Sequence, residues 1–326
     1  MNSFGIDRRR AMVAGGLAAA GFANHGGLPA VASEVASEAV GEDLPVTFAL
    51  NTSTIRGQSL SLPQQIDVVA SAGYDGIEPW VRDIAAYRDG GGSLEEIRRR
   101  IADAGLEVVS AIGFGPWIVD DDAARAAGLE QARREMRLVA AIGGTRIAAP
   151  PIGLHRPGDV SPPLPVIADR YRALCEVGDQ EGVTPELELW GFSPTMSKLA
   201  ELAYVVTAAA HRRACVLPDF YHIHKGGNDF ESLSKIEAAA MPCFHINDYP
   251  ASIPIDQIGD EDRVFPGDGD CDLPSIIAML IGNGFRGTFS LELFNPEYWQ
   301  RDATEVCREG LRKSRAVVQA AMQQLS

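Results

Sequence analysis

A repeated change from helical to strand-like patterning runs along most of the chain. Amphipathic stretches end at a glycine, and a short run of apolar and β-branched residues follows within a few positions. Glycine is common just after a helix because it accepts the left-handed backbone conformation found there. The pattern occurs at Gly73, Gly105, Gly143, Gly182 and Gly284.

The spacing of these glycines predicts further strands. The first four are separated by 32, 38 and 39 residues, whereas the last two are 102 residues apart, which is about three repeats. Two short apolar runs lie in that interval, at 214–219 and 242–247, and both are typical of buried strands. With an opening strand at 46–50, the sequence predicts eight strands separated by helical segments.

The segments between the predicted strands carry helix signals. Ser93 and Glu96 form a capping box, and Leu94, Ile97 and Ile101 recur at the spacing of one helix face. Such a stripe indicates packing against a core.

Regular alternation of strands and helices makes a parallel sheet, and eight units of about 35 residues fit a closed (β/α)8 TIM barrel. We therefore predict an α/β protein with one barrel domain over residues 45–326. A doubly wound sheet is the alternative, but residues 51–57, after the first strand, lack its glycine-rich phosphate-binding loop.

The N-terminal segment has a different character. Three arginines at 8–10 precede a mild apolar run at 11–23, and residues 30–32 read Ala-Val-Ala, as a signal peptidase requires. We expect residues 1–32 to be an export signal of twin-arginine type, 33–44 to be an acidic linker, and the protein to be periplasmic or secreted. The apolar run is too short to span a bilayer, so no stable membrane insertion is expected.

Composition limits the possible partners. The 326 residues are 46% hydrophobic and 22% charged, which excludes a disordered or fibrous chain. The net charge of −15 repels a phosphate backbone and makes nucleic acid an unfavourable partner. Five scattered cysteines without a CxxC pair predict neither a disulfide framework nor a thiolate zinc site. No oligomeric state is predicted.

Four consecutive predicted strands end in ionisable residues. These are Glu188, Asp219, His245 and Glu292 on strands five to eight. A TIM barrel places its chemistry at the carboxyl ends of its strands, so these side chains should converge. Carboxylates with one imidazole suit a hard divalent ion. Mn²⁺ is our leading expectation, and Mg²⁺, Co²⁺ and Zn²⁺ are alternatives.

The sequence offers two candidates for the glutamate of strand five. Glu186 and Glu188 lie two residues apart and therefore share a face of strand five. We choose Glu188 because it lies nearer the end of the strand.

With these motifs, residues 46–322 resemble the sugar-phosphate isomerase/epimerase family of xylose isomerase-like barrels. The resemblance implies that Glu188, Asp219, His245 and Glu292 bind one divalent ion. It also implies two substrate-binding residues: His222, from an Asp-x-x-His motif, and Arg263, which precedes a Pro-Gly turn. The stretch 249–262 is longer than in ketose epimerases of the family, so the family's sugar specificity does not carry over.

This arrangement suits proton transfer next to a carbonyl of a small carbohydrate. Glu188 and Glu292 are the expected catalytic pair, which removes a proton from one face of a carbon and returns it to the other through an enediolate. An isomerase or epimerase is our first hypothesis. The same residues would serve a lyase or dehydratase acting on a keto-sugar or 3-keto-glycoside.

Two other classes share the expected fold. A metal-dependent apurinic endonuclease would need more histidine ligands than six histidines readily provide, together with a basic surface. A non-catalytic sugar-binding barrel would have no need for a bound ion.

Four further residues are secondary candidates. Lys225 and Glu78 are assigned to substrate binding, because one follows the Asp-x-x-His motif and the other ends strand two. Trp117 and Trp190 would either line the apolar side of the sugar or belong to the core.

Overall fold

The computed structural model describes residues 44–326 of the chain. The predicted export signal and nearly all of the predicted linker lie outside these residues. Within them, all eight predicted strands are present, and every strand pairing is parallel. The strands are β1 (Thr47–Asn51), β2 (Gly76–Glu78), β3 (Glu107–Val108), β4 (Arg146–Ala149), β5 (Thr184–Glu188), β6 (Cys215–Leu217), β7 (Cys243–Ile246) and β8 (Thr288–Leu291).

The strands follow one another around a closed ring. Ladders join them in the orders β3-β2-β1-β8-β7 and β4-β5-β6. Single hydrogen bonds join the two groups: Ala148 N donates to Ala111 O at 2.8 Å, and His245 N donates to Pro218 O at 2.9 Å. The predicted (β/α)8 barrel is confirmed.

Helices cover the outside of the ring, as the glycine pattern predicted. Gly73 and Gly182 follow helices with φ of 90° and 75°, which is the left-handed conformation expected there. The helices are α1 (Leu62–Ala72), α2 (Val81–Asp89), α3 (Leu94–Asp103), α4 (Asp122–Ala141), α5 (Leu164–Glu181), α6 (Leu199–Ala209), α7 (Phe220–Lys225), α8 (Leu273–Gly282) and α9 (Ala303–Leu325). Short 3₁₀ helices occupy Thr52–Gln58, Phe230–Lys235, Ala238–Ala240, Asp260–Asp262 and Tyr298–Gln300.

Apolar faces of the helices pack on the strands to form the core. In α3, the structure shows one of the two bonds of the predicted capping box, from Glu96 N to the Ser93 side chain, and Ile97 and Ile101 are buried. All five cysteines are free thiols. Among residues 44–326, no helix combines the length and the apolar character that crossing a bilayer requires.

Candidate active site

A cavity of about 180 Å³ opens at the carboxyl ends of the strands. It is smaller than the roughly 300–1,000 Å³ typical of sites for drug-sized ligands, so it suits a ligand of monosaccharide size. Its walls combine apolar side chains with a compact polar group. The lining residues are Trp80, Ile112, Phe114, Trp190, Phe192 and Phe294, together with Glu188, His222, Asp260, Arg263 and Glu292.

Three of the four predicted metal ligands meet beside this cavity. Asp219, His245 and Glu292 are buried and offer ligand atoms that all lie within 4.8 Å of one another. They follow or belong to β6, β7 and β8, so neighbouring strands bring their side chains together. Glu188, at the end of β5, lies outside this group of three but lines the cavity, and its Oε2 atom is buried without a hydrogen-bond partner.

The residues present fit a divalent ion. His245 Nδ1 is buried without a hydrogen bond and lies 3.2 Å from Glu292 Oε2 and 3.7 Å from Asp219 Oδ2. An unpartnered imidazole nitrogen between two carboxylates is a donor set that hard and borderline divalent ions accept.

Arg263 lies against the same carboxylates. Its Nη1 atom donates to Asp219 Oδ2 at 3.0 Å and to Glu292 Oε2 at 2.9 Å, while Nη2 donates to Asp260 Oδ1 at 2.5 Å. Burial alone would lower the pKa of Arg263, but these three carboxylates raise it. The Arg263 side chain is 1% exposed, and its guanidinium forms salt bridges with all three carboxylates.

The Asp-x-x-His motif has a structural explanation at the start of α7. Asp219 is the N-cap of this helix, and its Oδ1 atom accepts a hydrogen bond of 2.8 Å from His222 N. The three-residue spacing is therefore that of a capped helix. The His222 ring turns into the cavity with Nε2 3.1 Å from Arg263 Nη2. Burial and the Arg263 charge lower the pKa of His222 to about 4, so this imidazole is neutral.

The two candidate catalytic carboxyl groups lie in different electrostatic environments. Burial raises the pKa of Glu188 to about 8, and the charge of Glu292 acts in the same direction. Burial would also raise the pKa of Glu292, but His245 and Arg263 outweigh it and lower that pKa to about 2. Opposite shifts of this kind are typical of acid and base partners.

Glu78 contacts His245 and is not one of the residues that line the cavity. Its two carboxylate oxygens are 3.1 and 3.2 Å from His245 Nε2, on the opposite side of the ring from Asp219 and Glu292. Glu78 Oε2 also accepts from Asn51 Nδ2 at 3.0 Å and from Ser290 Oγ at 2.6 Å. These contacts favour a role in orienting His245 over the substrate contact expected from the sequence.

Lys225 also lies outside the cavity lining. Its Nζ atom donates to Ile258 O at 2.7 Å and thereby ties α7 to the long segment 249–262. That segment contributes Asp260 to the cavity lining.

Only one of the two candidate tryptophans, and one of the two candidate glutamates of β5, lines the cavity. Trp190 lines the cavity, whereas Trp117 is 1% exposed in the core and donates to Pro150 O at 2.9 Å. Glu186 lies outside the cavity lining, where it accepts a hydrogen bond from Ser110 Oγ at 2.5 Å. Glu188 is the residue of this pair that reaches the cavity.

Sequence reasoning missed Asn51. Its Nδ2 atom donates to both Glu78 and Glu292 at 3.0 Å, and its Oδ1 atom accepts from Trp80 Nε1 at 2.9 Å. Asn51 ends β1, so the rule that selected the charged strand ends would have found it had amides been included.

Comparison with known proteins decides the family. Residues 66–316 match the model of the xylose isomerase-like TIM barrel. This match covers most of the chain. The chain belongs to the xylose isomerase-like TIM barrel family.

Members of this family that resemble the chain include isomerases and dehydratases. The inosose isomerase of Bacillus velezensis is 32% identical over 152 residues, which are 46% of this chain and 54% of the relative. The 3-dehydroshikimate dehydratase of Pseudomonas aeruginosa is 25% identical over 262 residues, which are 77% of this chain and 39% of the relative. The chain thus spans about half or less of the length of these curated relatives.

Solved structures of xylose isomerase-like barrels share the fold. The IOLI protein with a bound zinc atom superimposes with a TM-score of 0.76 at 23% identity, covering 84% of this chain and 98% of that one. An L-ribulose 3-epimerase gives a TM-score of 0.70 at 18% identity, covering 86% and 97%. The inosose isomerase and the 3-dehydroshikimate dehydratase that resemble the chain are enzymes. In this chain, Asp219, His245 and Glu292 form a group that could hold a metal ion.

Proposed function

We propose that this enzyme is a divalent-metal-dependent isomerase or epimerase that moves a proton next to a carbonyl of a small carbohydrate. One observation carries the proposal. Glu188 and Glu292, from β5 and β8, line the same small cavity, and Glu292 also belongs to the compact group with Asp219 and His245. The site thus combines two proton-transferring groups with a metal-binding set.

The ligand set that we propose is Glu188, Asp219, His245 and Glu292, with Mn²⁺ as the leading candidate and Mg²⁺, Co²⁺ or Zn²⁺ as alternatives. When bound, a divalent ion supplies positive charge that stabilises the oxyanion of an enediolate. Side chains of the protein transfer the protons and orient the substrate.

Glu188 and Glu292 act as the proton-transferring pair. A carboxylate oxygen of one residue accepts the proton from the carbon next to the carbonyl, and the other residue delivers a proton to the opposite face. Inversion at that carbon gives an epimer, whereas delivery to the neighbouring carbon gives an isomer.

His222 and Arg263 orient the substrate. Both line the cavity, and His222 is neutral, so its imidazole can exchange hydrogen bonds with sugar hydroxyl groups. The Asp219, Asp260 and Glu292 carboxylates fix the Arg263 guanidinium, so it presents its charge without reorganisation. Rings such as those of Trp190 and Phe192 cover the apolar side of a sugar and exclude water.

A lyase or dehydratase reaction is the second candidate. The 3-dehydroshikimate dehydratases of two Pseudomonas species match 77% of the chain, a larger share than the inosose isomerases do. The same proton removal leads to elimination when a leaving group lies β to the carbonyl. His222 would then be the candidate acid or base beside the leaving group.

We further propose that residues 1–32 direct export and that the mature chain begins near Ser33. The arginines at 8–10 and the Ala-Val-Ala sequence at 30–32 support this proposal. Cell fractionation and N-terminal sequencing test it. Full-length protein in the cytoplasm with Met1 intact would contradict it.

The function is tested by incubating metal-loaded protein in D₂O with aldoses, ketoses and 3-keto-glycosides and recording NMR spectra. An isomerase or epimerase incorporates deuterium at the reacting carbon and forms an isomeric product. A lyase forms an unsaturated product instead. Absence of both results across the panel, in protein shown to hold its metal, would contradict the proposal.

A further inference from the structure

A guanidinium without an anionic partner contacts two aromatic residues of the cavity lining. Arg56 belongs to the 3₁₀ helix Thr52–Gln58, which directly follows β1 and therefore lies on the catalytic face of the barrel. Among residues 44–326, no carboxylate forms a salt bridge with Arg56, and its Nε and Nη2 atoms are buried without a hydrogen bond. The structure therefore leaves this charge without a direct partner.

Arg56 is not itself a lining residue, but it contacts two residues that are. Its guanidinium lies 4.1 Å from the centre of the Trp80 ring and 5.1 Å from that of Phe294, and both rings line the cavity. A second cation, Arg82, lies 4.4 Å from the Trp80 ring and has a salt bridge of 3.5 Å with Asp83. Two guanidinium groups therefore contact one lining aromatic residue.

The cavity also holds acidic groups and another guanidinium. Glu188, Asp260 and Glu292 line it, and Arg263 is paired with Asp260 and Glu292. Arg263 lies 5.0 Å from the Phe294 ring that Arg56 also contacts, so the two cations share a lining ring, but only Arg263 has carboxylate partners.

The Arg56 side chain is half-buried. A charge that has lost part of its hydration and has no ionic partner is unfavourable, and contact with an aromatic ring offsets only part of that loss. Burial and the neighbouring Arg82 charge lower the pKa of Arg56, so these surroundings disfavour its charged form. A chain with a net charge of −15 has many acidic residues, yet none pairs with Arg56 among the described residues. An anionic ligand group would resolve the conflict.

We propose that the substrate carries a carboxylate that Arg56, supported by Arg82, binds at the edge of the cavity formed by Trp80 and Phe294. The carbonyl end of the same molecule then lies toward Glu188. The substrate class is accordingly a hydroxylated keto acid of monosaccharide size. The orientation of the carbonyl rests on the proposed function, whereas carboxylate binding by Arg56 does not.

Matched ligand pairs test the proposal by isothermal titration calorimetry on the metal-loaded full chain. The probes are D-glucuronate against D-glucose and D-galacturonate against D-galactose, which differ only in a carboxylate. We expect at least about tenfold tighter binding of the uronate in one pair, equivalent to about 1.4 kcal/mol. Glucose 6-phosphate tests whether a phosphate is preferred instead.

Variants identify the residue responsible. Arg56→Met should remove the uronate preference and leave the affinity for the neutral sugar unchanged, whereas Arg56→Lys should retain part of the preference. Arg99→Met, at an exposed arginine of α3, is the matched control and should behave as the parent. If Arg56→Met does not fold, Arg56→Gln removes the same charge.

Three results would overturn the proposal: equal or absent binding in both pairs, a preference that survives loss of the Arg56 charge, or stronger binding of the phosphate. Deuterium exchange separates the two proposals. Exchange with neutral sugars alone supports the proposed function and contradicts carboxylate recognition. An Arg56-dependent uronate preference without exchange or elimination on any keto substrate supports carboxylate recognition and contradicts the proposed function.

Discussion

Replacement of Glu78 by glutamine tests how the protein orients its candidate metal ligand. The carboxylate accepts from His245 Nε2 at 3.1 and 3.2 Å and is itself held by Asn51 and Ser290. Glutamine keeps the size of the side chain but replaces one acceptor oxygen by a donor and removes the charge. His245 Nε2 then faces a neutral amide instead of a carboxylate, so the contact that fixes which ring nitrogen faces Glu292 is weakened.

The expected loss of metal affinity follows from the role of groups that orient histidine ligands in metal sites. Loss of a group that orients a histidine ligand typically lowers metal affinity about 10–100-fold, which corresponds to about 1.4–2.8 kcal/mol. Competition with a fluorescent chelator, using Mn²⁺ and Zn²⁺ in turn, measures the dissociation constant. Glu95→Gln, at an exposed position of α3, is the control and should leave metal affinity unchanged.

The same variant distinguishes the two roles considered for Glu78. If Glu78 orients His245, metal affinity falls, and excess metal restores much of the activity. If Glu78 instead contacts substrate, KM rises while metal affinity matches that of the parent. The second result would refute the reasoning from the His245 contacts.

Two further predictions concern the metal set and the barrel. Asp219→Ala should lose metal, so its Tm should no longer rise when metal is added; a ligand at 100 times its Kd normally adds about 2.7 kcal/mol of stability. Gly76→Ala should lower the free energy of unfolding by about 1–3 kcal/mol, because an added Cβ would lie 2.4 Å from Val109 Cγ1. Gly282→Ala, where an added Cβ would make only an ordinary contact of 3.6 Å with Leu325 Cδ2, should leave the free energy of unfolding in denaturant unchanged or slightly increased. Unaltered metal content in the first variant, or equal stability of the two glycine variants, would contradict these predictions.

Local signals were sufficient to predict the barrel and the strand ends. A glycine after a helix and a short apolar run each depend on neighbouring residues alone, and their repetition fixes the alternation of elements. Because the carboxyl ends of the strands meet at one face, Asp219, His245 and Glu292 could be grouped before any distance was known.

The contacts of Glu78 and Lys225 could not be predicted in this way. Glu78 ends a strand, as Glu188 does, but its carboxylate meets Ser290, 212 residues away in sequence, and this contact exists only after the ring closes. Lys225 follows a motif residue, yet the path of segment 249–262 brings Ile258 O to its ammonium group. Tertiary packing, which no local pattern reports, decides such roles.

The central claim is that Glu188 and Glu292 transfer the proton. The most direct measurement is solvent deuterium exchange, with the sugar that the parent enzyme exchanges, in the variants Glu188→Gln and Glu292→Gln after metal content has been determined. Each variant should retain most of its metal and lose about 10²–10⁴-fold in exchange rate. Metal-replete variants that exchange deuterium at the parent rate would contradict the account.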